Sequence, residues 1–202
     1  MKKVVVILDY AHGKDVAGKR SPCGRHEEWR WSRERGRCIK IILQAIGFTV
    51  YETNPTDSEI GLSKRVRISE NIPVEEGQIK FFISLHNNAA GDGTKWMSAR
   101  GMEIWTKRGV DLADDFSDFY FKIMREWFPT VPMRLNSPIN GQKDKEGNLA
   151  VLKAAGVYSV LIEHLFQDNK ADVELLLDPT QNKKFEDAVV DLVEKAEKFM
   201  NE

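Results

Sequence analysis

The chain has 202 residues, of which 42% are hydrophobic and 30% are charged, a balance that suits one globular α/β domain. Its formal net charge of -1 argues against a general nucleic-acid binder, which needs a basic surface. The two cysteines, Cys23 and Cys38, lack the close spacing of a metal-binding pair, so we expect two free thiols.

The N-terminal segment MKKVVVILDY begins like a signal peptide, but its apolar run, Val4 to Leu8, ends at Asp9. A signal peptide needs an apolar region of roughly 7–15 residues and a small-residue cleavage site. We therefore predict that Val4–Asp9 forms a first β-strand. No apolar run in the sequence approaches the roughly 20 residues of a membrane-spanning helix.

Strand and helix patterns alternate along the rest of the chain, and no linker or repeat divides it. The first half predicts a helix over Arg33–Ile46, a strand over Phe48–Glu52, a helix over Leu62–Ile72 and a strand over Ile79–His86. The second half predicts a strand over Gly101–Thr106, a helix over Val110–Phe128, a loop over Pro129–Asn148, strands over Leu149–Lys153 and Tyr158–Glu163, and a helix after Asp178-Pro179. The expected fold is a single α/β domain over residues 1–202, with a mixed, mostly parallel twisted sheet flanked by helices.

Acid/base or metal-binding residues follow three of these strands. His12 comes after the first strand, His86 ends the strand IKFFISLH, and Glu163 ends the strand VYSVLIE. Ligands of open α/β sheets gather beyond the carboxyl ends of strands. If these three strands are parallel neighbours, the three side chains converge on one site.

Two histidines and one carboxylate are a common ligand set of catalytic zinc, which keeps a fourth position open for water. A further carboxylate then moves protons between the water and the leaving group. His12 and His86 supply the nitrogens, and the stretch GRHEEWRW offers Glu27 and Glu28 as carboxylate ligands. This stretch is not an HExxH zinc motif, because Arg30 stands in place of its second histidine.

The motifs ILDYAHG, EWRWSRE, FFISLHNNA and VLIEHLFQDN occur in this order, with NPTDSEIGLSKRVRISEN between the second and third. Together they resemble the zinc-dependent N-acetylmuramoyl-L-alanine amidases of the type 3 group, over nearly the whole chain. The resemblance implies a phosphorylase/hydrolase-like amidase fold and zinc-dependent hydrolysis of the amide between N-acetylmuramic acid and L-alanine. It also implies that zinc is bound by His12, Glu28 and His86, and that Glu163 is catalytic.

Other polar residues near these motifs have two interpretations each. Asn87 and Asn88 either contact a substrate or make a turn, and Arg65 either contacts a substrate or lies on a solvated helix face. His26 is expected to be solvated. His164 follows Glu163 on a strand, so it should point to the opposite face of the sheet.

The expected partner is peptidoglycan, with neither nucleic acid nor membrane bound, and the expected state is a monomer. Two other functions fit the same residues: a non-catalytic wall-binding module on an amidase scaffold, and a zinc peptidase that acts on another wall amide. Action on the cell wall without a visible signal peptide suits a phage lysis enzyme released by a holin. A bacterial remodelling enzyme without its leader would look similar.

Overall fold

A twisted β-sheet forms the centre of the molecule in the computed structural model, which describes residues 2–135 and 144–202. Within these residues the sheet has six strands in the order β2-β1-β3-β6-β4-β5. The strands are β1 (Lys3–Tyr10), β2 (Thr49–Glu52), β3 (Gln78–Asn88), β4 (Glu103–Thr106), β5 (Lys145–Glu146) and β6 (Val157–Phe166).

The sheet is mixed and mostly parallel, as the alternating sequence pattern predicts. Strand β1 pairs in parallel with β2 and β3, and β3 pairs in parallel with β6. Strand β4 runs antiparallel to β6 and parallel to β5. The register places His86, Glu163 and Glu103 side by side across β3, β6 and β4. The three strands that lead to His12, His86 and Glu163 are therefore parallel neighbours, which is the condition for these three side chains to converge on one site.

Helices cover both faces of the sheet. The helices are α1 (Glu28–Ala45), α2 (Leu62–Asn71), α3 (Leu112–Trp127), α4 (Lys170–Leu177) and α5 (Pro179–Phe199). Helices α1, α3 and α5 pack together over the larger core, which contains Leu8, Phe81 and Ile162. On the opposite face, α2 packs with a 3-10 helix (Ala150–Lys153) over a smaller core that contains Ile7, Phe82 and Leu161.

The structure differs from the sequence expectations on element type or bounds at four places. The segment Leu149–Lys153, expected as a strand, forms the 3-10 helix, in which the Leu152 N–H donates to the Leu149 carbonyl at 3.2 Å. Its apolar residues fit a short buried turn as well as a strand, and a run this short does not separate the two. Helix α1 begins at Glu28, five residues before the expected Arg33.

The third difference is α4, which the sequence patterns did not predict. Its N-cap is Asn169, whose side-chain oxygen accepts from the Ala171 and Asp172 N–H groups. Part of the expected loop Pro129–Asn148, residues 136–143, lies outside the described residues, and its last part forms β5.

One simpler expectation is confirmed. Cys23 and Cys38 are free thiols. Among the residues that the structure describes, no helix is both long enough and apolar enough to span a membrane.

Candidate active site

His12, Glu28 and His86 lie together at the carboxyl ends of the central strands. Each offers one ligand atom, and these three atoms lie within 4.8 Å of one another. His12 follows β1, Glu28 is the first residue of α1, and His86 lies near the end of β3. The two imidazole rings are nearly perpendicular, with 5.2 Å between their centroids. The structure thus brings together the three residues that the sequence resemblance implies as zinc ligands.

The backbone of His12 is held in an uncommon conformation. The chain still pairs with β3 at Ala11, whose N–H donates to the Leu85 carbonyl and to the Ser32 hydroxyl. At His12 φ is 43°, in the left-handed region, which side chains with a Cβ rarely adopt. Such strain clusters at functional sites, where the surrounding structure enforces it. Here it turns the His12 ring out of the strand direction and toward Glu28.

The Glu28 carboxylate is 1% exposed and forms the centre of the cluster. Its Oε1 lies 3.1 Å from His86 Nδ1 and accepts from the Asn87 backbone N–H at 3.1 Å. Its Oε2 lies 3.6 Å from His12 Nε2. Burial alone would raise the pKa of Glu28, but the hydrogen bond and the charges of the two histidines lower it to about 2. Glu28 is therefore ionised at neutral pH, as a metal ligand must be.

The two histidines differ in their protonation behaviour. Burial lowers the pKa of His12 to about 4, so its imidazole is neutral at pH 7 and can donate a lone pair to a metal. Burial also acts to lower the pKa of His86, but the hydrogen bond and negative charge of Glu28 outweigh it and raise the pKa above its usual value. A metal cation bound between these side chains would take the place of the proton on His86.

Glu163 lies beside this cluster on β6, in register with His86 on β3. It is partly exposed, and its Oε2 is buried without a hydrogen-bond partner among the described residues. Burial raises its pKa to about 7, an effect that the charge of His86 opposes and that of Glu28 reinforces. A carboxyl group with this pKa can both accept and donate a proton near neutral pH.

The residues next to Glu28 lie outside the cluster. Glu27 pairs with Arg30 at 2.7 Å. His26 is buried, contrary to the expectation that it is solvated, and its Nε2 lies 2.9 Å from Asn87 Oδ1. The sequence shows His26 among charged residues, but the contact that buries it comes from a strand 61 residues away.

His164 points to the face of the sheet opposite Glu163, as strand alternation predicts. It is buried against Trp31 and Phe185, and its Nε2 lies 2.8 Å from the Tyr120 hydroxyl. Burial lowers the pKa of His164 to about 3, so the ring is neutral. It belongs to the larger core rather than to the cluster of His12, Glu28 and His86.

Asn87, Asn88 and Arg65 are each held by contacts within the protein, and their predicted substrate contacts stay a prediction. The Asn87 side chain is buried and donates to the His164 carbonyl at 2.6 Å, while Asn88 Oδ1 accepts from the Ala89 N–H as in a turn. Arg65 is also buried rather than solvated. It donates to the Tyr10 carbonyl at 2.6 Å and pairs with Asp9 and Glu59.

A family comparison matches residues 6–195 of the chain to the model of the N-acetylmuramoyl-L-alanine amidases. The chain belongs to this amidase family. Its members are hydrolases that act on the peptidoglycan of the cell wall. No curated protein matches the chain.

Solved amidase structures share the fold. An N-acetylmuramoyl-L-alanine amidase from Clostridium difficile 630 is 19% identical and superimposes with a TM-score of 0.80, over 96% of this chain and 97% of that chain. The catalytic domain of CwlV, an N-acetylmuramoyl-L-alanine amidase from Bacillus (Paenibacillus) polymyxa var. colistinus, is 21% identical, with a TM-score of 0.71 over 96% and 97%. The CwlD amidase from Clostridioides difficile, solved with the GerS lipoprotein, is 20% identical, with a TM-score of 0.76 over 96% and 98%.

Two further contacts that hold the Glu28 carboxylate in this amidase are not predicted from the sequence. Gln167 donates from Nε2 to Glu28 Oε2 at 2.9 Å, across 139 residues of sequence. The Asn87 backbone N–H contacts the other oxygen of the same carboxylate. Neither contact has a spacing signal, because it depends on how the ends of β3 and β6 meet α1.

Proposed function

We propose that this amidase hydrolyses the amide between N-acetylmuramic acid and L-alanine in peptidoglycan, with zinc held by His12, Glu28 and His86 and with Glu163 as acid and base. The observation that carries the proposal is that a possible metal site and an acid/base carboxyl group lie side by side. Three ligand atoms lie within 4.8 Å of one another, and Glu163 beside them has a buried oxygen without a partner among the described residues. Residues 1–202 would then form one catalytic domain that acts at the cell wall.

The donor set fits zinc. Two imidazoles and one ionised carboxylate form a common three-ligand set of catalytic zinc sites, which leaves a fourth position for water or substrate. Among the described residues, His12, Glu28 and His86 are the one group of metal-ligating side chains whose ligand atoms lie this close together. When bound, a zinc ion supplies Lewis-acid chemistry, which polarises the carbonyl of the scissile amide and makes water a stronger acid.

Glu163 has the properties needed to move the proton. As a carboxylate, it takes a proton from the water that attacks the carbonyl carbon. As a carboxylic acid, it gives that proton to the alanine nitrogen as the C–N bond breaks. Its pKa of about 7 keeps both forms accessible near neutral pH, which is the condition for efficient acid and base catalysis by one group.

The variant Glu163→Gln tests this role. It keeps the shape of the side chain but cannot take up the proton, so we expect the rate of stem-peptide release from purified sacculi to fall by roughly 10²–10⁴-fold. The zinc content, measured by elemental analysis, should remain that of the wild type. Product analysis by mass spectrometry should show that the wild type cleaves the muramoyl–alanine bond.

Glu27→Gln is the matched control, because Glu27 contacts Arg30 outside the cluster. It should keep both activity and zinc. Wild-type release rates from Glu163→Gln would refute the catalytic assignment. Binding of the wild-type protein to sacculi without any product would instead indicate a non-catalytic wall-binding module, and cleavage of plain peptides would indicate a peptidase.

A further inference from the structure

The Glu28 carboxylate is held by donors other than the two histidines. Among the described residues, these donors are the Asn87 backbone N–H, which contacts Oε1 at 3.1 Å, and the Gln167 side-chain amide, which contacts Oε2 at 2.9 Å. Gln167 is therefore the one described side chain, apart from His12 and His86, that fixes the direction of this carboxylate. Because Glu28 Oε2 accepts the bond, the atom of Gln167 that faces it must be the NH₂ nitrogen.

Gln167 is itself firmly placed. Its side chain is 1% exposed, and its backbone N–H donates to the Asn88 carbonyl at 2.8 Å, which extends the pairing between the ends of β3 and β6. Its Nε2 also lies 3.3 Å from the Asn87 carbonyl. Two anchors on one strand end thus hold the amide against Glu28.

The other end of the same amide is the Gln167 Oε1 atom. Gln167 Oε1 is buried and accepts no hydrogen bond from the described residues. A buried polar group without a partner costs stability, so a glutamine here is a poor choice for packing alone. The hydrogen bond that Nε2 donates to Glu28 gives a reason for a glutamine at this position.

We propose that Gln167 is a positioning residue for the metal site, which holds Glu28 so that its carboxylate faces His12 and His86. Partners that orient metal-ligating carboxylates typically contribute roughly 10–100-fold to metal affinity. This inference rests on the zinc site of the proposed function. It concerns the affinity of the site for the metal and not the chemical step.

The variant Gln167→Met tests the proposal in the full-length chain. Methionine is unbranched and of similar length, so it preserves packing but cannot donate to Glu28. We expect the dissociation constant for Zn²⁺, measured by competition with a chromophoric chelator, to rise roughly 10–100-fold. Circular dichroism and thermal melting of the metal-free protein should show that the variant is folded.

The matched control is Asn182→Leu, which also replaces a buried amide by an apolar side chain. Asn182 accepts from Trp31 Nε1 at 2.8 Å and donates to the Leu176 carbonyl at 3.0 Å, with no contact to the cluster of His12, Glu28 and His86. We expect this variant to melt at a lower temperature and to bind Zn²⁺ as tightly as the wild type.

The outcomes separate the inference from the proposed function. Equal Zn²⁺ affinity of Gln167→Met and the wild type would overturn the role of Gln167. An equal loss of affinity in Asn182→Leu would overturn it too, because general loosening of the fold would then explain both results. A wild-type protein that binds no Zn²⁺ would instead refute the metal site itself.

Discussion

Leu165 and His12 are the two described residues other than glycine that have a positive φ, and both flank the candidate site. Leu165 has φ of 65° and follows Glu163 and His164 on β6. The register between β3 and β6 shifts at this point, and Gln167, two residues after Leu165, contacts Glu28. The Leu165 side chain is also fully buried in the larger core. The strained backbone of Leu165 therefore lowers the stability of the fold, while burial of its side chain raises it.

This opposition predicts an unusual order of stability for two variants. Leu165→Ala loses the buried side chain, which costs about 2–5 kcal/mol, and keeps the strained backbone. Leu165→Gly loses one more buried methyl group, worth about 0.8 kcal/mol, and gains freedom in the unfolded chain, but it relieves a strain of roughly 1–2 kcal/mol. We expect urea unfolding to show Leu165→Gly at least as stable as Leu165→Ala, although glycine is the less stabilising residue where φ is negative. The reverse order would show that the φ of Leu165 carries no strain.

A buried neutral histidine predicts how stability depends on pH. Burial lowers the pKa of His164 to about 3 in the folded state, whereas an unfolded histidine has a pKa of about 6.5. Below pH 6.5 the unfolded state therefore binds a proton that the folded state does not bind. The stability that His164 contributes is complete above pH 6.5 and is lost as the pH falls toward 3.

The variant His164→Gln should reduce this acid sensitivity. It removes the titrating group while it keeps a polar atom near the Tyr120 hydroxyl. We expect the metal-free wild type to lose roughly 2 kcal/mol more unfolding free energy than the variant between pH 7 and pH 5, at about 1.4 kcal/mol per pH unit below pH 6.5. The measurement is urea unfolding at both pH values. Parallel losses in the two proteins would contradict a neutral His164, because His12 and His26 titrate in both.

At the scale of helices and strands, the pattern of apolar residues predicts the long segments well and the short segments poorly. The strands that precede His12, His86 and Glu163 were predicted within a few residues, because each has a continuous apolar run. The 3-10 helix Ala150–Lys153 was predicted as a strand, because its few apolar residues fit either structure. The early start of α1 at Glu28 was missed, since the residues before Arg33 are mostly polar and aromatic.

Helix α1 carries Glu28, and a glycine lets this helix lie close to β1. Gly36 faces the ring of Tyr10, and a Cβ at Gly36 would lie 1.9 Å from Tyr10 Cε1. The ring cannot move easily, because the Tyr10 hydroxyl donates to Glu52 at 2.6 Å and the Tyr10 N–H donates to Asn54 at 2.8 Å. This contact sets the separation between the strand that leads to His12 and the helix that begins at Glu28.

Gly36→Ala should therefore destabilise the protein, although alanine is normally the better helix former. The gain in helix propensity is about 1 kcal/mol, and the steric overlap with Tyr10 costs more, so we expect a net loss of roughly 1–3 kcal/mol in denaturant unfolding. The exposed residue Gln44 in the same helix gives the control, since Gln44→Ala should change stability by less than about 0.5 kcal/mol. A stabilised Gly36→Ala variant would mean that α1 can move away from β1.

At the scale of the whole molecule, the sheet order makes part of the site predictable. Strands β1, β3 and β6 are adjacent and parallel, so the residues that follow or end them must meet at one edge. Strand patterns and the positions of His12, His86 and Glu163 in the sequence are therefore enough to predict that these three residues meet. They do not predict the contact of Gln167 with Glu28 or the burial of His26, because these depend on side-chain contacts between segments that are 61 to 139 residues apart in the chain.

If zinc is bound as proposed, it should stabilise the whole fold, because the three proposed ligands follow β1, begin α1 and lie in β3, and the site exists only when these elements are packed. A ligand at 100 times its dissociation constant adds about 2.7 kcal/mol of stability, provided that the unfolded chain does not bind it. For a chain of about 200 residues this corresponds to a rise in Tm of roughly 5–10 °C.

Thermal melting with and without Zn²⁺ should show this rise in the wild type and in Glu27→Gln, and should show no rise in Glu28→Gln. The two variants remove one carboxylate each at neighbouring positions, but Glu28 contacts His86 and Glu27 contacts Arg30. If the shift is instead lost in Glu27→Gln and kept in Glu28→Gln, the carboxylate ligand is Glu27, and α1 must begin differently in the metal-bound protein. Loss of the shift in both variants would mean that the metal depends on the charge of this helix terminus rather than on one ligand.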